Sequence, residues 1–330
     1  MERFLIIGNM QIHTKPSHRI SVLLVTFNHE NYIRQALNSL FGQVFNEPIE
    51  LIIADDASSD ATLNLIKEYE GKDDRFTFKY LDSTTNLGIT KNYKRGFSAC
   101  LGQYVAVLEG DDYWISAFKL QRQIDFLDTH WESDLCSVNY FVLEEDRFHF
   151  HPRAAIGNGH RLISARDLIA DNLVGNFSTC MYRKTALDTL PLKLFEICSY
   201  DWIVNICVAR SSLIGFLEEP MSVYRLHSNG VWTQTPHVEK LKQQLEIVPE
   251  YDNLTNNVFH AEFEVLSNRL HHKIQTANLV DAVAVMTPST AGKISRMMDY
   301  LPPVLLSVAR VFIPPKLKRL IVRVIQRDAA

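Results

Sequence analysis

Hydrophobic and polar positions switch repeatedly between two periods along the first half of the chain. Residues 20–27 (ISVLLVTF) form a continuous β-branched apolar run, the pattern of a strand buried on both faces. Ile33, Ala36, Leu37, Leu40 and Phe41 follow at the spacing of a helical stripe laid on a sheet, with Asn28 placed to cap that helix. The alternation then repeats. Runs at 49–54, 76–81 and 104–108 predict three further strands. Between them, Asp60 heads a helix carrying Leu63, Ile66 and Tyr69, and residues 91–100 turn Tyr93, Phe97 and Cys100 inward. Another helix is expected from about residue 117 to 129. Strands alternating with helices predict an α/β fold, a mostly parallel sheet flanked by helices with right-handed crossovers. Ligands of such sheets sit outside the carboxyl ends of the strands.

Beyond a further run at 135–143 the pattern becomes irregular. It predicts a turn at 144–146, a loop at 152–159 and a short helix at 164–171. Apolar stretches follow at 173–182 and 202–209, with a strand-like run at 213–217. From about Pro236 the pattern is helical to the end, with Leu241, Leu245, Ile247, Val248, Phe259, Phe263, Leu266 and Leu270 as packing positions. Two proline pairs, after Leu301 and after Ile313, punctuate this tail. In its last segment Leu317, Leu320, Ile321, Val324 and Ile325 share one helical face, and Lys316, Arg319, Arg323 and Arg327 the other. A basic amphipathic helix of this kind lies on an anionic membrane surface or docks on the protein itself.

With 330 residues, 46% of them hydrophobic and 22% charged, the chain has the composition of a globular protein with a sizeable core, which excludes disorder and disulfide-stapled mini-folds. The five cysteines are scattered without a C-x-x-C pair, which points to a reducing compartment rather than a zinc cage or redox motif. The apolar run at residues 4–7 is too short for a signal peptide, and no stretch is long enough to span a membrane. A cytoplasmic protein, peripheral at the inner face of the membrane, is the expectation. The net charge of −4 argues against nucleic acid as a partner. That charge is unevenly spread: residues 310–330 carry +5, leaving −9 on the preceding 309.

The candidate chemistry lies at the strand exits. The second strand runs into Asp55-Asp56-Ala57-Ser58-Ser59-Asp60, and the fourth into Glu109-Gly110-Asp111-Asp112. Acids in such places also cap helices and make turns, which accounts for Asp60 and leaves Asp112 open. Several carboxylates converging on one sheet edge repel one another, and a divalent cation, Mg²⁺ or Mn²⁺, offsets that repulsion. The cation would in turn neutralise a diphosphate. The first strand leaves through Thr26-Phe27-Asn28-His29, while Gly88 and Lys91 mark a loop–helix junction suited to phosphate. Neither a Walker A sequence nor a G-x-G-x-x-G fingerprint is present.

Four runs, SVLLVTFNHENYIRQALNSL, LIIADDASSDAT, TNLGITKNYKRGF and GQYVAVLEGDDYW, occur in this order and spacing. Together they resemble the N-terminal half of family 2 glycosyltransferases of the GT-A fold, and the resemblance extends over about residues 18–232. It implies a domain at 1–235, with a nucleotide-sugar half at 18–130 and an acceptor half at 131–235, followed by a helical extension at 236–330. It also implies a nucleotide-diphospho-sugar donor, a Mg²⁺ or Mn²⁺ cofactor, inversion at the anomeric carbon, and a glycan or lipid-linked hydroxyl acceptor in cell-surface polysaccharide or glycolipid synthesis.

By that resemblance Thr26 and Asn28 line the base and ribose, Asp55 and Asp56 lie beneath the base, and Asn86, Gly88 and Lys91 close over the nucleotide. Glu109 and Asp111 fall on the acid-x-acid metal motif. Glutamate replaces the commoner first aspartate there, so Asp111 is the metal ligand and Glu109 reaches ribose or metal through water. Tyr200-Asp201-Trp202 resembles the motif that supplies the catalytic base, Asp201. A helix N-cap is the structural alternative for Asp201, and Glu196 is a nearby competitor as base. The segment Tyr224-Arg225-Leu226-His227 resembles the family's closing motif, with His227 on the metal and Arg225 supporting the diphosphate. Residues 175–179 match a loop bordering the acceptor. Two other readings stay open. A nucleotidyltransferase would ordinarily carry a Gly-rich basic loop where Thr26-Phe27-Asn28-His29 stands, and a non-catalytic nucleotide-binding relative would have no use for both Asp111 and Asp201.

Overall fold

β1 (Ile20–Thr26) and β2 (Ile49–Asp55) are buried at every position, as continuous apolar runs require. Between them α1 (Ile33–Phe41) buries Ile33, Ala36, Leu37 and Leu40. Its N-cap is Tyr32 and no side chain caps it, so the expected capping by Asn28 does not occur. Asn28 instead takes a left-handed conformation at φ 54° and bonds across to the loop after β2. α2 (Thr62–Lys67), β3 (Phe76–Tyr80), α3 (Ile89–Ala99) and β4 (Tyr104–Glu109) complete the alternation. These elements belong to a structure, a computed structural model, that describes residues 18–82, 84–197, 200–228, 230 and 235–284.

The chain then adds β5 (Tyr113–Trp114), α4 (Lys119–Thr129), β6 (Ser133–Glu144), β7 (His149–Pro152), β8 (His160–Ile163), α5 (Ala165–Ala170), β9 (Cys180–Arg183), α6 (Lys184–Leu187), α7 (Asp201–Val208) and β10 (Leu213–Leu226). One sheet holds all ten described strands, in the order β3-β2-β1-β4-β9-β6-β10-β5, with β7 beside β6 and β8 beside β10. Pairings among β3, β2, β1 and β4 are parallel, and β10 runs parallel to β6. β9 is wedged antiparallel between β4 and β6, and β5, β7 and β8 pair antiparallel at the margins, so the sheet is more mixed than the alternation predicts. The apolar faces of β1, β2, β4, α1 and α4 share one core with Trp114 and Met221. Cys100, Cys136, Cys180 and Cys207 are free thiols.

α8 (His237–Leu254) and α9 (His260–Ala284) begin the expected helical extension. Among the described residues, the chain to Gly230 with Tyr251–Phe259 forms one compact unit, and residues 235–250 with 260–284 belong to a second. Leu241, Val248, Phe259, Phe263, Leu266 and Leu270 are buried as expected, whereas Leu245 and Ile247 are half-buried. No described helix is long and apolar enough to cross a membrane. The basic segment 316–327 and both proline pairs lie outside the described residues.

Candidate active site

The exits of β1, β2, β4 and β10 meet at one edge of the sheet. Parallel register aligns Thr26 with Asp55 and Val25 with Glu109, so the three loops leave side by side. Their contacts show how each acid is held.

Asp55 accepts hydrogen bonds from the backbone N–H and the hydroxyl of Ser58. The Asn28 side chain accepts from Ser59 N–H at 2.8 Å, and Asn28 N–H donates to Ser58 Oγ at 2.8 Å. The first two exits therefore form one cross-linked rim. Asp60 accepts from Thr62 N–H and Glu30 N–H and so ties the turn before α2, but the N-cap of that helix is Ala61 and no side chain caps it, so the expected capping by Asp60 does not occur. Asp56 accepts from Leu87 N–H at 2.7 Å and Gly88 N–H at 2.9 Å, and Asn86 donates to the Asp56 carbonyl. Asp56, Asn86 and Gly88 thus pin one another, and this uses the Asp56 carboxylate for the loop. Gly88 adopts φ 80°, a conformation glycine reaches without strain. Lys91, in the first turn of α3, is exposed and unpaired among the described residues.

The acid turn after β4 is more deeply built. Tyr93 donates to Glu109 at 2.7 Å, and burial beside the charges of Asp112 and Asp111 pushes the Glu109 carboxyl well above the usual range. Asp112, which the sequence left open as a turn or cap residue, closes the turn with its N–H on the Glu109 carbonyl at 3.1 Å, while its carboxylate does more. It is 1% exposed and accepts from Arg225 N–H, the Asn176 amide and the Ser178 hydroxyl at 2.7–2.9 Å. Burial and the charge of Asp111 push Asp112 up to about 7, and those three donors oppose the shift by favouring the carboxylate. Residues 176–179, expected to border the acceptor, are buried and act here as the clamp beneath the acids. Ser178 also accepts from Glu109 N–H, and its carbonyl accepts from the Trp114 indole.

Asp111 stands free of that clamp. His227 Nε2 lies 3.2 Å from its Oδ2, and His29 Nε2 lies 3.7 Å from the same oxygen. Burial works to raise the Asp111 carboxyl, but the hydrogen bond from His227 and the neighbourhood of His29 outweigh it and hold Asp111 below its usual range. Burial lowers His29, favouring the neutral imidazole that binds metals. The His227 ring lies tilted against Tyr32 with centroids 4.6 Å apart, and its buried Nδ1 has no hydrogen-bond partner. A carboxylate oxygen approached by two imidazoles, one with an unmet polar atom, fits a divalent cation. The mixed oxygen and nitrogen donors suit Mn²⁺ better than Mg²⁺, which prefers oxygen.

Arg225 lies behind this group and is only 7% exposed. Its guanidinium donates to the Asp111 carbonyl at 2.8 Å and to Gln35 at 2.6 Å, pairs with Glu145, and stacks over Tyr32 at 4.8 Å. These partners occupy it, so Arg225 props the acid turn from behind. Asp201 is the first residue of α7, one past the N-cap Tyr200, and its carboxylate also accepts from Trp202 N–H in the first turn. Its Oδ2 accepts from Asn172 at 3.3 Å, and burial pushes its carboxyl up to about 6. Its charge reaches Glu109, which puts both acids in one electrostatic neighbourhood. The competitor Glu196 is exposed.

The sequence places Thr26, Asn28, Asp55, Asp56, Glu109, Asp111 and His227 at the site, names His29 only as part of the β1 exit and Ser178 only as part of the loop at 175–179, and marks no chemistry at Tyr32 or Glu145. The four-residue spacing of Asp55 and Ser59 around the Asn28 crossing gave no warning of the rim. His29 directly follows Asn28 at the β1 exit, and that adjacency is the local signal that it faces the same edge.

A family model described as Glycosyl transferase family 2 matches residues 21–190. The chain belongs to that family. The match runs past β9 and α6 to residue 190, so it contains the β1, β2 and β4 exits described above. An uncharacterized Mycobacterium tuberculosis protein is 36% identical over 216 residues, covering 64% of this chain and 60% of the relative. The chain therefore spans about 60% of the length of that relative. A Bacillus subtilis protein named for teichuronic acid biosynthesis, TuaG, is 32% identical over 108 residues, 33% of this chain and 41% of the relative. Among solved structures, the mannosyltransferase PcManGT from Pyrobaculum calidifontis, in complex with GDP-Man and Mn²⁺, aligns with a TM-score of 0.57 at 12% identity, covering 96% of this chain and 88% of that one. At that identity the likeness carries the fold, which is the GT-A α/β architecture of a family 2 glycosyltransferase.

Proposed function

We propose that the chain is an inverting, metal-dependent glycosyltransferase that moves a sugar from a nucleotide diphosphate to a hydroxyl acceptor. The observation that carries this reading is the pairing of Asp111 with His227 and His29 where the β1, β4 and β10 exits meet. Asp111 and His227, with His29 beside them, would hold Mn²⁺ or Mg²⁺, and the bound cation would stabilise charge on the departing diphosphate. The rim of Thr26, Asn28 and Asp55 is placed to receive base and ribose, and Gly88 with exposed Lys91 to close over the phosphates. Asp56 orders that closing loop, and Glu109 and Arg225 support Asp111.

Inversion by direct displacement needs a carboxylate to take the acceptor proton, and Asp201 fills that role. Its carboxyl, raised to about 6, remains ionised at neutral pH while being a better base than an ordinary aspartate. Holding acceptor and sugar C1 in line converts a two-body encounter into a near-attack arrangement. The family match and the TuaG likeness support a glycan or lipid-linked acceptor in surface polysaccharide synthesis. We assign the transferase domain to 1–235 and the extension to 236–330.

A nucleotide-sugar screen with Mn²⁺ tests the whole reading. Asp201→Asn is expected to cut transfer by at least ~10³-fold while donor affinity holds, and Asp111→Ala to abolish metal-dependent donor binding. Equal loss of donor binding in Asp201→Asn removes it as the base, and an unchanged Mn²⁺ titration in Asp111→Ala removes the metal assignment.

A further inference from the structure

The β6–β7 hairpin gathers three more ligand-type side chains outside the Asp111 set. Glu144 pairs with His149, and Val142 with His151, across the antiparallel ladder. Side chains two apart on a strand point to the same face, so His149, His151 and Glu144 share one face of the hairpin. The two imidazoles stack with centroids 4.6 Å apart, and His149 Nδ1 lies 3.3 Å from Glu144 Oε1. One ligand atom from each of the three falls within 4.8 Å of the other two. A separate observation points to a ligand: His151 Nδ1 is buried and has no hydrogen-bond partner. Such an atom costs free energy unless something satisfies it.

We propose that Glu144, His149 and His151 form a second metal site, suited to Zn²⁺ rather than Mg²⁺, with a fourth position open to solvent. Two imidazoles and one carboxylate are the donor set of open zinc sites, and nitrogen donors disfavour Mg²⁺. Bonds of about 2.0–2.1 Å in a tetrahedron need ligand atoms about 3.3 Å apart, a closure that small rotations of side chains on this hairpin supply. The carboxylate is already held low by its hydrogen bond to His149, with Arg147 and His151 adding to the effect. Arg147, at 3.2 Å from Glu144, is the competing cation, and at 79% exposure it gives up little when displaced. The site has a consequence for the transferase centre. Glu145 follows Glu144 directly, pairs with Arg225 and accepts from the Tyr32 hydroxyl at 3.2 Å. A cation on Glu144 fixes the backbone that presents Glu145 to this group behind Asp111.

Equilibrium dialysis of the full chain against Zn²⁺ alone, in an Asp111→Asn background, tests the site. About one Zn²⁺ per chain should be retained, and adding His149→Ala or His151→Ala should weaken its binding at least ~10-fold. Co²⁺ in place of Zn²⁺ should give an intense tetrahedral visible band that the same substitutions abolish, with far-UV circular dichroism unchanged. Arg147→Ala, on an exposed side chain, should bind Zn²⁺ more tightly. Absence of retained Zn²⁺ in the Asp111→Asn protein, or binding indifferent to both histidines, overturns the proposal.

Discussion

Gly110 sits where a Cβ would fall 2.6 Å from Thr26 Oγ1 and 2.7 Å from His29 Nδ1. The acid turn can approach the β1 exit only because this side chain is missing. Gly110→Ala should therefore displace Asp111 and His29 together, costing about 1–3 kcal/mol of stability and weakening Mn²⁺-dependent donor binding. Differential scanning fluorimetry and a metal titration on the same variant check both effects. Asp201 gives the second residue-scale prediction. Only its ionised form accepts a proton, so kcat/KM should rise with pH through about 6 and level above it, with roughly one-tenth of the plateau left at pH 5. A profile that stays flat to pH 4.5 argues that another group is the base. Asp111 entered as a candidate through the resemblance of Glu109-Gly110-Asp111 to the family's acid-x-acid motif. The role of Asp112 was not legible: its three donors come from residues 64 to 113 positions away, and no local pattern encodes them.

At the level of elements, β1 to β4 and the helices between them followed from periodicity, since burial on both faces or along one stripe leaves a sequence pattern. β9, β5 and β7 are four, two and four residues long and leave almost none. Their strand character comes from partners: β9 from β4 and β6, β5 from β10, β7 from β6. The second half of β10, Met221–Leu226, was read only as a motif, because the shifts in its register at Leu217, Pro220 and Ser222 break the alternation. A long-range tie holds the α1 end to the strand that follows α2. Arg75 donates to the carbonyls of Phe41, Gln43 and Phe45 at 2.7–3.0 Å while Asp73 pairs with its guanidinium. Arg75→Leu leaves those carbonyls unsatisfied and should cost about 2 kcal/mol, lowering Tm by ~4–8 °C. A thermal melt that matches the parent would show that water replaces the guanidinium without loss.

On the scale of the whole molecule, the sheet is what makes a site. Four exits separated by up to about 200 residues of chain arrive at one edge, and Asp111 from the β4 exit meets His227 from the end of β10. Charge is also organised at this scale, with +5 on residues 310–330 and −9 on the remainder. If the basic segment 316–327 binds an anionic surface, the full chain should float with phosphatidylglycerol-containing liposomes at low salt and a chain ending at residue 299 should not. Equal behaviour of the two assigns the segment to the protein itself.

The sequence by itself determined the alternating elements, the family and the acids at the strand exits, because burial and turn chemistry act over a few neighbouring residues and leave their mark there. Only the tertiary structure decided that Asp112 is clamped while Asp111 faces two histidines, that Arg225 is spent on the acid turn, and that Glu144 meets His149 and His151. Each of those outcomes depends on which strands become neighbours, and pairing energy is set by the whole sheet rather than by any segment of it.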